Sequence, residues 1–383
     1  MRDVYLIGQS RQRIRKRETA SLREMGSRAL KAALVDAGRE DFEALYVSNL
    51  LSDDLQKQKH LAPLIASEAG FVGKEAYDVR AATAAGAAAL RTAILAVASG
   101  EVETAVALGL EKMSEGDATE ALSHVLDAEF ESARGDNMLT ANAALMRSYM
   151  ERHNLKREVF ANFAFSAHQN AALNPDALFR RAFSYERIIR SPSVIEPLHI
   201  MDCAPICDGA AAVVVSAKPD TSEIYTQRVR MLASSVACDH MRVDQRPDPL
   251  ALNASRWSAE RAFARAKLTP KDIDFFEAHD AFTIMSCLAL EACGFAPEGE
   301  GWRMAEEGKI FRDGELPLST FGGLKARGHP VGASALYQAG EIFRQLQGTA
   351  AANQVARNRI GMMQSIGGAG TTVITHIFGR DDR

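Results

Sequence analysis

Apolar and polar positions recur along this chain with two alternating periods, and the switches between them mark its elements. The opening run Val4-Tyr5-Leu6-Ile7-Gly8 predicts a strand. Helical spacing over 29–36 gives way to a loop and then a strand over 44–49. The same helix–loop–strand plan returns at 259–266 and 273–280, and each copy is followed by an apolar helix, near 61–69 and 284–293. Next, Thr83-Ala84-Ala85-Gly86-Ala87-Ala88-Ala89-Leu90 lies over His329-Pro330-Val331-Gly332-Ala333-Ser334-Ala335-Leu336. Strands close each half, over 104–110 and 211–216 in the first and over 360–365 and 371–377 in the second. Alternating strands and helices argue for α/β layers. The internal repeat argues for two copies of one fold packed with pseudo-twofold symmetry.

In that arrangement Thr83 and His329 hold equivalent places, each just before a helix. The stretch 112–200 has no counterpart in the second half and is richer in polar residues, with helical runs over 138–151 and 157–172. It reads as an inserted loop domain, and such insertions often cover an active site. The expected division is therefore 1–111 with 201–220, the insertion 112–200, and a second half over 221–383.

Chemistry concentrates in one segment, Gly322-Gly323-Leu324-Lys325-Ala326-Arg327-Gly328-His329-Pro330-Val331-Gly332-Ala333-Ser334. Glycines permit backbone conformations and close approaches that other residues forbid. A following helix offers unpaired N–H groups and a partial positive charge, and a histidine there can move protons near neutral pH. The remaining composition narrows the options. A chain of 383 residues with a net charge of −4 lacks the basic surplus that nucleic acid demands. Five cysteines (203, 207, 238, 287 and 293) suit neither a disulfide framework nor a zinc site, so Cys203 and Cys207 read as buried thiols. No run of about 20 apolar residues predicts a membrane span, and the start lacks a signal-peptide core, which makes a cytoplasmic location the default. The basic patch Arg11, Arg13, Arg15, Lys16 and Arg17 reads as a solvated loop or helix edge, with contact to a phosphate-bearing ligand or an acidic partner as the second reading.

Over nearly its whole length the chain resembles the thiolase superfamily. Gly328-His329-Pro330-Val331-Gly332 resembles the G-H-P-x-G motif, and His279-Asp280-Ala281-Phe282 the H-D-x-F variant of N-E-A-F. The segment 361–370 is similar to the glycine-rich C-terminal motif, and 202–212 and 108–114 to two further family segments. The nearest resemblance is to the archaeal and sterol-carrier-protein-type members. It implies a duplicated five-layer α-β-α-β-α fold with an inserted loop domain. It also implies a coenzyme A thioester as substrate, no bound cofactor or metal, and a homodimer or higher assembly. A further partner with an OB fold and a zinc ribbon is implied too, with any zinc belonging to that partner.

The same resemblance exposes a departure. The family's nucleophile is a cysteine in V-x-A-A-C-A-S-G, and here the matching segment is Val79-Arg80-Ala81-Ala82-Thr83-Ala84-Ala85-Gly86. Ser365 stands where some members place a second cysteine, and Ala281 where the sterol-carrier type has one. Of the catalytic side chains, His279 and His329 remain. One oxyanion hole is implied at the backbone N–H groups of Thr83 and Gly367, and another at the side chains of His279 and His329. A hydroxyl is far less acidic than a thiol and a poorer acyl donor. Three readings therefore stand: a cysteine-independent (retro-)aldolase with an enolate intermediate, as in cysteine-lacking relatives of steroid side-chain degradation; a thiolase or acetyl-CoA acyltransferase with Thr83 as nucleophile; and a non-catalytic acyl-CoA-binding scaffold. Met113, Ala281, Phe321, Tyr337, Gln364 and Ser365 are the expected pocket residues. For Met113 and Met285, and for Tyr337, plain core packing is the competing reading. His168 reads as a surface or capping histidine.

Overall fold

The computed structural model describes residues 2–219 and 225–381. The expected boundary between the halves, at 220/221, lies outside the described residues. Among the described residues eleven strands form. They are β1 (Tyr5–Arg11), β2 (Ala44–Ser48), β3 (Glu75–Val79), β4 (Thr104–Lys112), β5 (Ser193–Ile195), β6 (Leu198–His199), β7 (Asp208–Ser216), β8 (Arg228–Cys238), β9 (Phe275–Glu277), β10 (Ile360–Gly367) and β11 (Thr372–Asp381). β5 and β6 pair with each other, and the other nine make one sheet in the order β3-β2-β4-β7-β1-β8-β11-β10-β9.

That order contains the repeat. Inside the edge strand β3 the first half runs β2, β4, β7, β1, and from the other edge the second runs β9, β10, β11, β8. Pairing senses match as well. β2 is parallel to β4 and β9 to β10, and all the later neighbours are antiparallel. Even β3 has a vestige opposite it, a parallel bridge from Phe276 to Leu318. The two halves meet edge to edge where Tyr5 and Leu6 pair with Arg230 and Val229.

Period-2 burial explains the layering. In the first half Val106, Leu108 and Val214 face helices Leu22–Asp36 and Leu61–Ala69, while Ala105, Ala107 and Val213 face the opposite side. In the second half Met362, Val373 and Ile377 face helices Asn253–Ala266 and Thr283–Ala292, while Met363, Ile374 and Phe378 face back. Both inner faces close on one cluster built on helices Ala85–Ser99 and Ser334–Gln347. The result is an α-β-α-β-α stack with the two pseudo-equivalent helices at its centre.

The central position accounts for the composition of the first of these helices. The stretch Ala82–Ser99 is apolar and long enough to cross a membrane by composition alone, against the sequence reading, and its apolar surface is spent between the two half-sheets. The first helix of the chain starts on a capping box, with Ser21 N–H donating to Glu24 Oε2 at 2.8 Å and Glu24 N–H to Ser21 Oγ at 3.4 Å.

Between β4 and β7 the chain forms helices Ala118–Ser123, Met138–His153, Ala161–Ala172 and Tyr185–Ile189. They cover the end of the sheet where β4 and β10 finish. Two sequence readings change here. His168 is buried, its ring edge-on to Phe183 and tilted against Phe179, so it is neither a surface nor a capping residue. Arg11 is not solvated either: it lies in β1 with its guanidinium over Phe321 and Nη2 3.5 Å from Asp176.

Candidate active site

Both pseudo-equivalent loops end at one cavity of about 320 Å³. Thr83 reaches it from the turn before helix Ala85–Ser99, and His329 from the turn before helix Ser334–Gln347. His279 enters just past β9. The walls are mostly apolar, with Met113 and Leu122 from one cluster and Met138, Leu139, Phe282, Met285 and Ile366 from another. Thr119, Asn142, Cys203 and Gly368 complete much of the polar lining.

Local backbone geometry sets each side chain. Ala82, immediately before Thr83, has φ +47°, a left-handed conformation rare outside glycine and typical of strained functional turns. Gly328 has φ +120°, and a Cβ there would lie 2.7 Å from Ile14 Cγ2, so no other residue fits ahead of His329.

The Thr83 hydroxyl is fully engaged. It donates to Ile366 O at 2.6 Å and accepts from Gly368 N–H at 3.2 Å. Among the described residues it makes no hydrogen bond to either histidine. A hydroxyl has one proton, and this one is held by a carbonyl that cannot act as a base.

His329 is arranged differently. Its Nδ1 lies 2.7 Å from Ser334 Oγ, and Ser334 Oγ donates to Pro330 O at 3.1 Å. With the serine proton donated to Pro330 O, Nδ1 carries the ring hydrogen and donates to Ser334 Oγ. The neutral ring then keeps its lone pair on Nε2, opposite the Ser334 anchor. The His279 ring stands edge-on, 5.3 Å away between centroids at 89°. Burial pushes the His279 imidazole down to about 3. It holds His329 well below its ordinary value as well, with the His279 and Arg327 charges adding to the effect. Both rings are therefore neutral at physiological pH, one fit to accept a proton and the other to share a hydrogen bond.

Charged groups behind the site are structural. Arg327 and Glu341, both fully buried, pair at 2.6 Å. Glu277 accepts from Thr320 N–H and Oγ1–H at 2.8 and 2.6 Å, and burial raises its carboxyl to about 8. Among the described residues no group of three or more His, Cys, Asp or Glu side chains could hold a metal ion.

The expected pocket residues divide. Met113 and Ala281 line the cavity beside the three central side chains. Phe321 does not, because it is sandwiched by the guanidinium groups of Arg11 and Arg344. Tyr337 does not, because its hydroxyl donates to Gln12 O at 2.6 Å on the far side of the loop. Gln364 points into the outer layer, donating to Ser255 O and Thr375 Oγ1. Ser365 stays in the ladder opposite Ile374. At the proposed backbone hole, Gly368 rather than Gly367 reaches the cavity; Gly367 remains paired with Thr372.

Cys207 is a buried thiol as expected, accepting from His329 N–H at 3.2 Å. Cys203 is not: it lines the cavity, bridged to Phe282. Sequence reasoning also missed Ser334, Asn142 and Thr119. Ser334 had a signal, since it stands one turn beyond His329 at the helix start.

Two family descriptions match the chain: "Thiolase, N-terminal domain" over residues 4–219 and "Thiolase C-terminal domain-like" over 235–380. The acetyl-CoA acetyltransferase of Methanothermobacter thermautotrophicus is 40% identical over 383 residues, covering 99% of this chain and 100% of that protein. That of Methanocaldococcus jannaschii is 34% identical over 390 residues, covering 99% of each. Sterol carrier protein 2 of Homo sapiens is 28% identical over 324 residues, which span 80% of this chain and 59% of that protein. Among solved structures, a chain described as "Ltp2-ChsH2(DUF35) aldolase" superposes with a TM-score of 0.85 at 24% identity, covering 100% of this chain and 98% of that one. That likeness is one of fold.

Proposed function

The chain belongs to the thiolase family, and we propose that within it this protein makes or breaks a C–C bond next to a coenzyme A thioester by a non-covalent (retro-)aldol route. The observation that carries this reading is the state of the Thr83 hydroxyl, which is tied to Ile366 O and Gly368 N–H and bonded to no base. A nucleophile needs the opposite arrangement, with its proton shared with a base.

In the cleavage direction the substrate is a β-hydroxyacyl-CoA. His329 Nε2 takes the hydroxyl proton. The Cβ–O bond becomes a carbonyl, the Cα–Cβ bond breaks, and its electron pair passes to the thioester as an enolate. A His279 ring N–H stabilises the enolate oxygen, and the proton on His329 returns to Cα. The released ketone or aldehyde and the shortened acyl-CoA balance the substrate, and no acyl-enzyme forms. A mostly apolar chamber strengthens each of these electrostatic contacts by excluding water.

The size of the chamber favours a bulky acyl group. About 320 Å³ lies at the lower end of the range for ligand pockets, and even shared with the end of the CoA arm it exceeds what an acetyl group fills. At the mouth, Val194, Ile200 and Ile206 line the cavity and are 45%, 54% and 42% exposed. This aliphatic rim supports docking of a separate protein; the structural neighbour's description names ChsH2(DUF35) beside Ltp2.

An acyltransferase using another nucleophile is the second reading, favoured by the 40% identity to an acetyl-CoA acetyltransferase. One comparison separates them. The protein is incubated with a β-ketoacyl-CoA plus free CoA, and separately with β-hydroxyacyl-CoAs carrying a tertiary alcohol on a bulky apolar group. Acyl-CoA and ketone released from the second alone is the expected outcome. CoA-dependent cleavage of the first would overturn the aldol route.

A further inference from the structure

Strand β4 places Glu111 at its end, fully buried and outside the cavity lining. Four N–H donors converge on its carboxylate. Oε1 accepts from Asn49 Nδ2 at 2.9 Å and Leu51 N at 3.1 Å. Oε2 accepts from Leu50 N at 2.9 Å and from Gly332 N at 3.0 Å. The last of these is a long-range bond, from the first half of the molecule to the turn that carries His329. The carbonyl of Gly332 is held too, by Ser48 Oγ at 2.7 Å. Both polar groups of this one glycine in the second half are thus gripped by the first.

The grip leaves no slack. A Cβ on Gly332 would lie 2.8 Å from Asn49 Cα and 2.9 Å from Ser48 O. Added at Gly86 or Gly109, a Cβ would meet Gly332 O at 2.8 and 2.4 Å. Gly86 follows Thr83 by one helical turn, so the two loops that build the site interlock at Gly332.

From this geometry we propose that Glu111 is a positioning residue for His329, acting through Gly332. The turn between them is short and rigid. Ala333 N–H donates to Pro330 O at 2.8 Å, and Pro330 O also receives the Ser334 hydroxyl that fixes His329 Nδ1. If Gly332 shifts, Pro330 and Ser334 shift with it, and the tautomer and aim of the imidazole are lost together. Glutamine in place of Glu111 keeps the shape but turns one oxygen into an NH₂ that faces two N–H donors. A displacement of order 1 Å at a reacting group costs about 10²-fold in rate.

The positioning role rests on His329 acting in the site, so the test has one arm that needs no turnover. The full-length protein, labelled with ¹⁵N at histidine, is compared with Glu111→Gln by NMR at neutral pH. Wild type is expected to show His329 as the Nδ1–H tautomer, and Glu111→Gln to shift or broaden that signal while the other buried histidines stay in place. With the β-hydroxyacyl-CoA substrate, kcat is expected to fall roughly 10–100-fold with KM within about 3-fold, and Glu111→Asp to recover part of the loss. If Glu111→Gln does not fold, Ser48→Ala removes the bond to Gly332 O, along with a longer one to Leu108 O at 3.3 Å, and is expected to perturb the same His329 signal. A folded Glu111→Gln or Ser48→Ala protein with an unchanged His329 signal overturns the proposal. Absence of turnover in wild type with an altered His329 signal in the variant counts against the aldol reading and leaves the positioning role supported.

Discussion

Thr83→Ala separates a nucleophile from a structural hydroxyl. The change removes two hydrogen bonds, to Ile366 O and from Gly368 N–H. Each contributes about 1 kcal/mol net, so the expected loss of stability is about 2 kcal/mol, a little more where Gly368 N–H stays unpaired. Nothing in the aldol route uses the hydroxyl, so kcat/KM for β-hydroxyacyl-CoA cleavage should change by less than about 10-fold, or about 1.4 kcal/mol of barrier. Loss of an essential nucleophile costs far more, on the order of 10³-fold or greater. The assay is ketone and acyl-CoA release followed by chromatography, with near-ultraviolet circular dichroism as the check on folding. Thr83→Ser is the control, since it keeps the hydroxyl and only removes a methyl group. A folded Thr83→Ala protein with activity reduced more than about 10³-fold, beside an active Thr83→Ser, would refute the reasoning.

Three further outcomes follow from the same geometry. His279 is held down to about 3 and His329 well below its ordinary value. A general base works in its neutral form, present above its pKa, so kcat/KM should stay flat from about pH 8 down to about pH 5.5, where an unperturbed histidine would give a limb near 6.5; such a limb in the profile counts against two buried neutral rings. Ser334→Ala removes the partner of His329 Nδ1 and should lower kcat about 3–10-fold, as the wrong tautomer competes, with KM little changed; an unaltered kcat shows that Ser334 does not set the tautomer. Met285→Trp narrows the apolar chamber and should lower kcat/KM for bulky substrates about 10-fold or more while sparing short acyl chains; equal loss on both shows that this wall does not bound the acyl group.

The layers were legible because burial on both faces of a sheet writes a simple code. Runs such as Ala211-Ala212-Val213-Val214-Val215 read as strands from their β-branched content, and β7 forms there. The repeat, read from matching elements, returns in the strand order and pairing senses of the two halves. The site was legible only at its centre. Thr83, His279 and His329 stand out because the motifs that carry them are local in sequence. The walls are not local. Phe321 is next to a functional loop in sequence, yet its ring packs between Arg11 and Arg344 from other elements. Tyr337 is two turns from His329, yet helix Ser334–Gln347 turns it toward Gln12. Cys203 reads as a buried thiol in isolation and reaches the cavity only because Ala204 N–H pairs with Ala281 O, laying that segment across the site.

The duplication also explains how the site tolerates a threonine at residue 83. Each of the two loops that line the cavity is anchored by the other half of the molecule, at the ends of pseudo-equivalent strands. The Thr83 loop of the first half ties to Ile366 and Gly368 at the end of β10. The His329 loop of the second half ties to Glu111 near the end of β4 and Ser48 at the end of β2. These are separate sets of bonds, and the Thr83 hydroxyl belongs to only one of them. The hydroxyl at residue 83 satisfies Gly368 N–H and Ile366 O with a single small side chain and makes no contact with the Glu111 clamp. The hydrogen bonds that hold the His329 turn therefore do not depend on the side chain at residue 83. For that reason a truncation at Thr83 tests the proposed route, while a change at Glu111 tests the framework that holds the His329 loop in place.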